Sequence, residues 1–159
     1  MTVARSRPHG RTRLSEVATG GLGTAMSGVT LLPLPRAMDE RGAVTYGEFP
    51  GELPFVPRRV FLVSDVPAGK RRGEHAHREI EQLLICVHGE VTVTVDDGVD
   101  SRELVLDRAD VGLHLGPMIW TTLHEFSEDA VLLALASDRY DLDEYIHDHD
   151  EFLAAVRRG

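Results

Sequence analysis

Residues 82–106, QLLICVHGEVTVTVDDGVDSRELVL, decide the fold class of this chain. Valine and threonine alternate from residue 91 to residue 95. Because successive side chains of a strand point to opposite faces, the valines share one face. Asp97 and Gly98 supply the residues that a tight hairpin turn requires, and Gly89 separates the valine strand from the apolar run before it. The stretch is therefore predicted to form three strands joined by two turns.

Short apolar stretches divided by turn residues continue on both sides, from Met26 to about Ser137. This pattern is typical of an antiparallel barrel or sandwich, so the predicted fold class is all-β. The predicted strands are Val29–Leu34, Val44–Phe49, Val60–Ser64, Gln82–Val87, Val91–Val95, Arg102–Leu106, Val111–Leu115 and Val131–Ala136.

The spacing of apolar residues changes toward the end of the chain. From Leu142 to Val156 they recur every three or four residues, behind an Asp141 that is able to cap a helix. The pattern predicts a short C-terminal amphipathic helix that packs on the barrel.

Residues 1–25 differ in composition from the rest. They hold four arginines against one acid and then a Gly-rich stretch, which predicts a disordered tail. Transit peptides share this Arg-rich, acid-poor character, and Met26 is an alternative start of the protein. The 159 residues fit one core, so we expect a single domain over residues 26–159.

The composition also excludes several classes of partner. Lys and Arg number 17 against 26 Asp and Glu, a net charge of −9, which argues against a general nucleic-acid or anionic-membrane surface. The longest apolar runs fall short of the roughly 20 residues that a membrane span needs. Cys86 is the one cysteine, so no intrachain disulfide can form and a cytoplasmic setting is expected.

Residues 71–82, RRGEHAHREIEQ, carry the candidate chemistry. If this segment is extended, His75 and His77 leave the same face of the strand, with Ala76 on the other. Two imidazoles in one pocket can pass protons between neighbouring carbon and oxygen atoms of a substrate, because their pKa lies near neutrality. A metal-ligand pair and a solvated pair on the surface of a strand are the alternatives.

With Glu81, the two histidines resemble the first motif of the cupin superfamily, whose His, His and Glu commonly bind a metal. The second cupin motif normally brings another histidine a few residues after Pro-x-Gly. Here Pro117 is followed by Met-Ile-Trp, and His124 lies two residues too far along. A site of His75, His77, Glu81 and water remains an alternative, weakened by the missing fourth ligand.

A closer resemblance runs from Met26 to Phe152. Its motifs are Leu32-Pro33-Leu34, Asp39-x-Arg41-Gly42, Arg59-Val60, Arg72-Gly73-x-His75-Ala76-His77, Glu81-Gln82, Asp97-Gly98, Gly112-Leu113, Trp120, Phe126-Ser127, Ala136-Ser137-Asp138-x-Tyr140-Asp141 and Tyr145-Ile146. In this combination the chain resembles the WxcM-like sugar 3,4-ketoisomerases. The resemblance implies a cupin-type antiparallel β-barrel, or jelly roll, that works without a metal or other cofactor.

The activity that this resemblance implies is conversion of dTDP-4-keto-6-deoxyglucose to the 3-keto sugar, ahead of transamination in deoxyaminosugar pathways. It also implies a homodimer, in which N-terminal strands such as Val29–Leu34 are exchanged between subunits.

The same resemblance assigns roles to residues. His77 is expected to take the proton from carbon 3, and His75 to serve the oxygens as acid and base, through an enediol intermediate. The residues expected to bind substrate are Arg41, Arg59, Arg72 and Gln82.

Two positions depart from the family pattern. Ala43 follows Arg41-Gly42, where relatives commonly have a large polar or aromatic residue, and Phe61 lies where many have tyrosine. A non-catalytic nucleotide-sugar sensor or partner subunit is therefore a further alternative, beside a metal-dependent cupin dioxygenase or isomerase.

Overall fold

The structure is a computed structural model that describes residues 10–18 and 22–159, leaving out the side chains of residues 24 and 25. It is predominantly β. The strands are β1 (Arg11–Arg13), β2 (Thr24–Met26), β3 (Val29–Pro33), β4 (Arg36–Asp39), β5 (Gly42–Thr45), β6 (Arg59–Ser64), β7 (Arg72–His77), β8 (Gln82–His88), β9 (Val91–Asp96), β10 (Ser101–Leu106), β11 (Val111–Leu115), β12 (Trp120–His124), β13 (Val131–Ala136) and β14 (Tyr145–Ile146). One α-helix, α1, covers His149–Arg158.

These strands form two six-stranded sheets and a separate hairpin. Sheet I has the order β1-β10-β9-β12-β7-β14, sheet II has the order β2-β3-β11-β8-β13-β6, and β4 pairs with β5. The described pairings are antiparallel except β1 with β10, which is parallel. The all-β prediction with a short terminal helix is confirmed.

The valine strand behaves as its alternation predicts. Val91, Val93 and Val95 are fully buried in the core between the two sheets, which also contains apolar side chains of β3, β8, β11 and β13. The hairpin of β9 and β10 closes with Asp96 opposite Ser101. Gly89 has a φ of +66°, and a Cβ there would meet Ser127 Oγ at 2.3 Å, so this turn requires glycine.

Most predicted strands are present with small shifts, but the one predicted over Val44–Phe49 is wrong in its bounds. The observed strand β5 is Gly42–Thr45, and its partner β4 was not predicted. The prediction failed here because β5 is exposed along its whole length. Its sequence therefore lacks the alternation that a half-buried strand carries.

The disordered-tail prediction is wrong for residues 11–16. Arg11–Arg13 pairs with β10, and Leu14–Glu16 forms a 3₁₀ turn that buries Leu14 completely in the main core. Arg13 also donates to Glu90 at 2.6 Å. A buried leucine and ion pairs hold this segment in place despite its basic composition. Residues 1–9 and 19–21 lie outside the described residues.

The helix starts later than the sequence predicts. Asp141 caps only a 3₁₀ turn at Leu142–Glu144, because strand β14 intervenes. The Asp148 carboxylate accepts from the Glu151 backbone N–H and caps α1. The helix packs on sheet I through Phe152, as expected. Over the residues described, no helix has the length and apolar character needed to span a bilayer.

Candidate active site

A cavity of about 390 Å³ opens between the two sheets. Strands β6, β8 and β13 of sheet II line one side, and β7, β12 and β14 of sheet I line the other. The lining residues are Arg59, Phe61, Leu62, Val63, Ser64, Arg72, Gly73, His75, Gln82, Leu84, Thr121, Leu123, Leu132 and Tyr145.

The two histidines lie on β7 as the sequence predicts. Their rings stand edge to face with centroids 5.0 Å apart. Ala76, between them in the chain, points to the other side and is fully buried with Ile146 and Phe152 beneath the helix. The alternation of the strand therefore brings both imidazoles to one place, with His75 lining the cavity.

His77 is buried without a hydrogen-bond partner. Its side chain is 6% exposed, and neither Nδ1 nor Nε2 has a partner among the described residues. Burial, followed by the positive charges that His75 and Arg59 can carry, lowers the pKa of His77 to about 4. A neutral imidazole with two unused nitrogens is able to accept and deliver protons, so this arrangement is suited to acid–base chemistry.

The pKa of His75 is also below its ordinary value. Burial is the largest cause, and repulsion from His147 and Arg59 acts in the same direction, against a hydrogen bond with the backbone of Gly73. His75 is therefore an unprotonated base near neutral pH.

Two further rings, those of Tyr145 and His147, lie beside the imidazoles and were not predicted. The Tyr145 ring centroid lies 4.8 Å from that of His75 and 4.5 Å from that of His77. His147 stacks on Tyr145 at 5.4 Å, and its ring lies 5.8 Å from His75. The Tyr145-Ile146 motif was visible in the sequence, but β14 is only two residues long, too short for periodicity to reveal which side chain faces the site.

Arg59 and Arg72 bring positive charge to the cavity from opposite sheets. The Arg59 guanidinium lies 4.6 Å from the ring centroid of Phe61 and 5.1 Å from that of Tyr140, and it donates to Tyr145 Oη at 3.1 Å. Of the four predicted substrate-binding residues, Arg59, Arg72 and Gln82 therefore line the cavity.

Arg41 is the exception. It lies between β4 and β5, its side chain is 83% exposed, and it donates to Asp39, including a backbone N–H bond of 2.8 Å. Within one chain the hairpin carries Arg41 away from the cavity lining.

Glu81, the third residue of the alternative metal site, has a different partner. Its Oε1 lies 2.9 Å from Nε2 of His114 on β11. Over residues 10–18 and 22–159, no three His, Cys, Asp or Glu side chains converge as a metal site would require. The set of His75, His77 and Glu81 is thus not assembled.

Residues 27–157 match the family described as FdtA: WxcM-like, C-terminal. A TDP-4-oxo-6-deoxy-alpha-D-glucose-3,4-oxoisomerase from Aneurinibacillus thermoaerophilus is 40% identical over 117 residues, which cover 74% of the chain and 84% of that protein.

Solved structures show the same relationship. A histidine variant of the 3,4-ketoisomerase QdtA from Thermoanaerobacterium thermosaccharolyticum, in complex with TDP-4-keto-6-deoxyglucose, superposes with a TM-score of 0.81 at 30% identity, covering 84% of this chain and 96% of that one. A 3,4-ketoisomerase from Helicobacter canadensis gives a TM-score of 0.79 at 37% identity, with coverage of 81% and 97%. Matched over most of its length, the chain belongs to the WxcM-like FdtA family of sugar 3,4-ketoisomerases, and it is an isomerase with a cupin-like fold.

Proposed function

We propose that the chain converts dTDP-4-keto-6-deoxy-D-glucose to the corresponding 3-keto sugar and acts before transamination in deoxyaminosugar biosynthesis. The observation that carries the proposal is the pair of adjacent imidazoles: His75 lines the cavity, and His77 is buried beside it with both nitrogens unpartnered. The family relationship supports the substrate, since relatives are named for this sugar.

The reaction requires removal of the proton on carbon 3, an enediol, and protonation of carbon 4. We infer that His75 takes the carbon 3 proton, because it lines the cavity, and that it returns a proton to carbon 4. His77 lies outside that lining and instead lines a second, much smaller cavity that it shares with His75. In this scheme His77 is a positioning residue, whose ring packs edge to face on that of His75. The roles of the two histidines are thus the reverse of those implied by the resemblance.

Arg59 and Arg72 are suited to the diphosphate of the substrate. They approach one cavity from two sheets, and guanidinium groups bind phosphate oxygens through paired hydrogen bonds. Gln82 is buried at the cavity, where its amide can bind a sugar hydroxyl or hold a histidine. These assignments give an acidic protein a local site for an anion.

We propose that the reaction needs no metal or other cofactor. Proton transfer between adjacent carbons can be carried by imidazoles alone, and the carboxylate that the alternative metal site requires is paired with His114. Activity of the metal-stripped protein tests this proposal, and dependence of turnover on an added divalent ion would contradict it.

A homodimer is the second part of the proposal. The hairpin β4–β5 is exposed along both strands, with Met38 71% exposed, and Val60 on the outermost strand β6 of sheet II is 64% exposed. Apolar surface of this kind is typical of a protein interface. Because β3 pairs with β2 and β11 of its own chain, we propose the hairpin as the exchanged element, with Arg41 contributed to the partner's site.

The setting is proposed to be cytoplasmic. Cys86 is free and buried, and burial raises its pKa to about 11, so the thiol is unreactive. Fractionation of cells from the source organism, with a cytoplasmic marker as control, tests the location.

The deciding experiment follows the sugar protons by NMR in deuterium oxide, with metal-stripped protein and dTDP-4-keto-6-deoxyglucose. We expect a 3-keto product with deuterium at carbon 4, whose configuration the spectrum also reveals. His75→Asn should abolish turnover and His77→Asn should reduce it strongly. Binding of the nucleotide sugar without any turnover by the unaltered protein would support the sensor alternative instead.

A further inference from the structure

The cavity lacks a phenol at residue 61 but has one on the opposite sheet. Phe61 lines the cavity from β6, where its ring can neither donate nor accept a proton. Tyr145 on β14 is the single tyrosine among the lining residues. It is fixed there because β14 pairs with β7, with Tyr145 opposite His77.

The hydrogen bond from Arg59 determines what the Tyr145 hydroxyl can do. A guanidinium group donates and cannot accept, so Arg59 Nη1 donates to a lone pair of Tyr145 Oη at 3.1 Å. The hydroxyl hydrogen is left to be donated to another acceptor. The same contact stabilises negative charge on the phenolic oxygen, because the donor is a cation.

Packing holds this phenol against the two imidazoles. The Tyr145 ring lies within 5 Å, centroid to centroid, of both His75 and His77, and His147 stacks on it with an interplanar angle of 10°. The ring is therefore held beside the imidazoles, while its hydroxyl, bonded to Arg59 of the opposite sheet, belongs to the cavity that His75 also lines.

We propose that Tyr145 is the third catalytic residue and transfers the proton between the two sugar oxygens, with Arg59 stabilising its anionic form. The inference rests on the proposed function and assigns the oxygen chemistry, which the resemblance gave to a histidine, to a residue outside the predicted site.

The proton transfers balance without a co-reactant. His75 takes the proton from carbon 3 while Tyr145 gives its hydroxyl proton to the oxygen on carbon 4, which leaves a neutral enediol, an imidazolium and a phenolate. The phenolate then takes the proton from the oxygen on carbon 3 as the imidazolium protonates carbon 4. Both side chains end in their starting states, and the ketone has moved by one carbon.

The first test compares Tyr145→Phe with the unaltered protein and with Tyr140→Phe. Tyr140 also lies next to Arg59 but is outside the cavity lining and 61% exposed. We expect Tyr145→Phe to lower kcat by about 100- to 1,000-fold, the loss typical of removing one donor to a developing oxyanion. Its affinity for dTDP and its melting temperature should stay close to those of the unaltered protein, and Tyr140→Phe should retain its turnover.

The controls separate this inference from the proposed function. If the unaltered protein converts the sugar and Tyr145→Phe does so at the same rate, the role of Tyr145 is overturned while the ketoisomerase activity stands. If the unaltered protein is inactive, the proposed function fails. A loss of dTDP affinity equal to the loss of kcat/KM, with kcat unchanged, would make Tyr145 a binding residue and overturn the inference.

A second test uses the small number of tyrosines. The chain has three, at positions 46, 140 and 145, so the double variant Tyr46→Phe/Tyr140→Phe leaves Tyr145 alone. Biosynthetic replacement of that tyrosine by fluorotyrosine lowers the phenol pKa with little change of shape. If the neutral phenol is the donor, the alkaline limb of the kcat profile moves to lower pH. An unmoved limb would overturn the inference, because only a phenol that takes part in the proton transfer makes kcat depend on its own acidity.

Discussion

The charge state of His77 links the candidate active site to folding. Its pKa is about 4 in the folded chain against an ordinary value of 6.5, so the unfolded chain binds more protons between those values. Stability is therefore full above pH 6.5 and decreases as the pH falls through the window down to about 4. His75, whose pKa is also lowered, adds to the same trend.

We predict that the free energy of unfolding falls by up to about 3 kcal/mol between pH 7 and pH 4 because of His77. Urea titrations over this range measure it. The variant His77→Asn should lose most of this pH dependence, whereas His88→Asn, which changes a histidine whose side chain is 67% exposed, should keep it. Equal pH dependence in all three proteins would contradict the burial of a neutral imidazole.

His147 is predicted to lower the pKa of His75, the proposed base. Its positive form lowers the pKa of His75, so the substitution His147→Asn should raise that pKa. The acid limb of the kcat/KM profile, which reports the free enzyme, should then move to higher pH. The matched control is His149→Asn. His149 is hydrogen-bonded to Asp96 at 3.0 Å and does not contribute to the lowered pKa of His75, so the acid limb of this variant should not move.

At the scale of elements, the segment before β2 is the main departure from expectation. Leu14 is fully buried in the core, although its neighbours in the chain have the composition of a tail. We predict that Leu14→Ala lowers the free energy of unfolding by about 2–5 kcal/mol, as for other buried leucines. Thr12→Ala, at an exposed position of β1, should change it by less than about 0.5 kcal/mol. Denaturant titration at pH 7 compares the two variants. If Leu14→Ala is as stable as Thr12→Ala, the prediction that residues 11–16 belong to a disordered tail is supported instead.

Periodicity predicted the elements that have one buried and one less buried face. It found the valine strand, predicted over Val91–Val95 and observed over Val91–Asp96. Val131–Ala136 has no such alternation and was predicted as an apolar run, with the bounds that are observed. Periodicity missed Trp120–His124, because two threonines in the middle of that strand are buried and remove the contrast between faces.

The candidate site was partly predictable for a similar reason. His75 and His77 stand out because a two-residue spacing in a strand brings side chains together. Tyr145 and His147 reach the same place only because β14 adds to sheet I next to β7, a long-range pairing that no local pattern encodes. Arg59 was expected at the substrate, but its bond to a phenol depends on that same pairing.

At the scale of the whole molecule, the proposed dimer makes a prediction about shared sites. If Arg41 acts in the partner's cavity, Arg41→Ala and His75→Asn are each inactive alone, but a mixed dimer contains one intact site. Refolding the two variants together should restore about a quarter of the unaltered activity, since half of randomly paired dimers are mixed. Light scattering of the variant Val60→Asp measures its oligomeric state and so tests the interface. If confirmed mixed dimers show no restored activity, Arg41 acts in its own chain or in no site.

The parallel pairing of β1 with β10 has a further consequence, for solubility at high concentration. Without β1, the outer N–H and C=O groups of β10 would form an open row, and such a row is a template for strands of other molecules. Strand β1, Arg11–Arg13, covers this row. A shortened protein that begins at Met26 would lack both β1 and the buried Leu14, and it would expose the unpaired edge of β10. It should therefore aggregate at concentrations that the full chain tolerates.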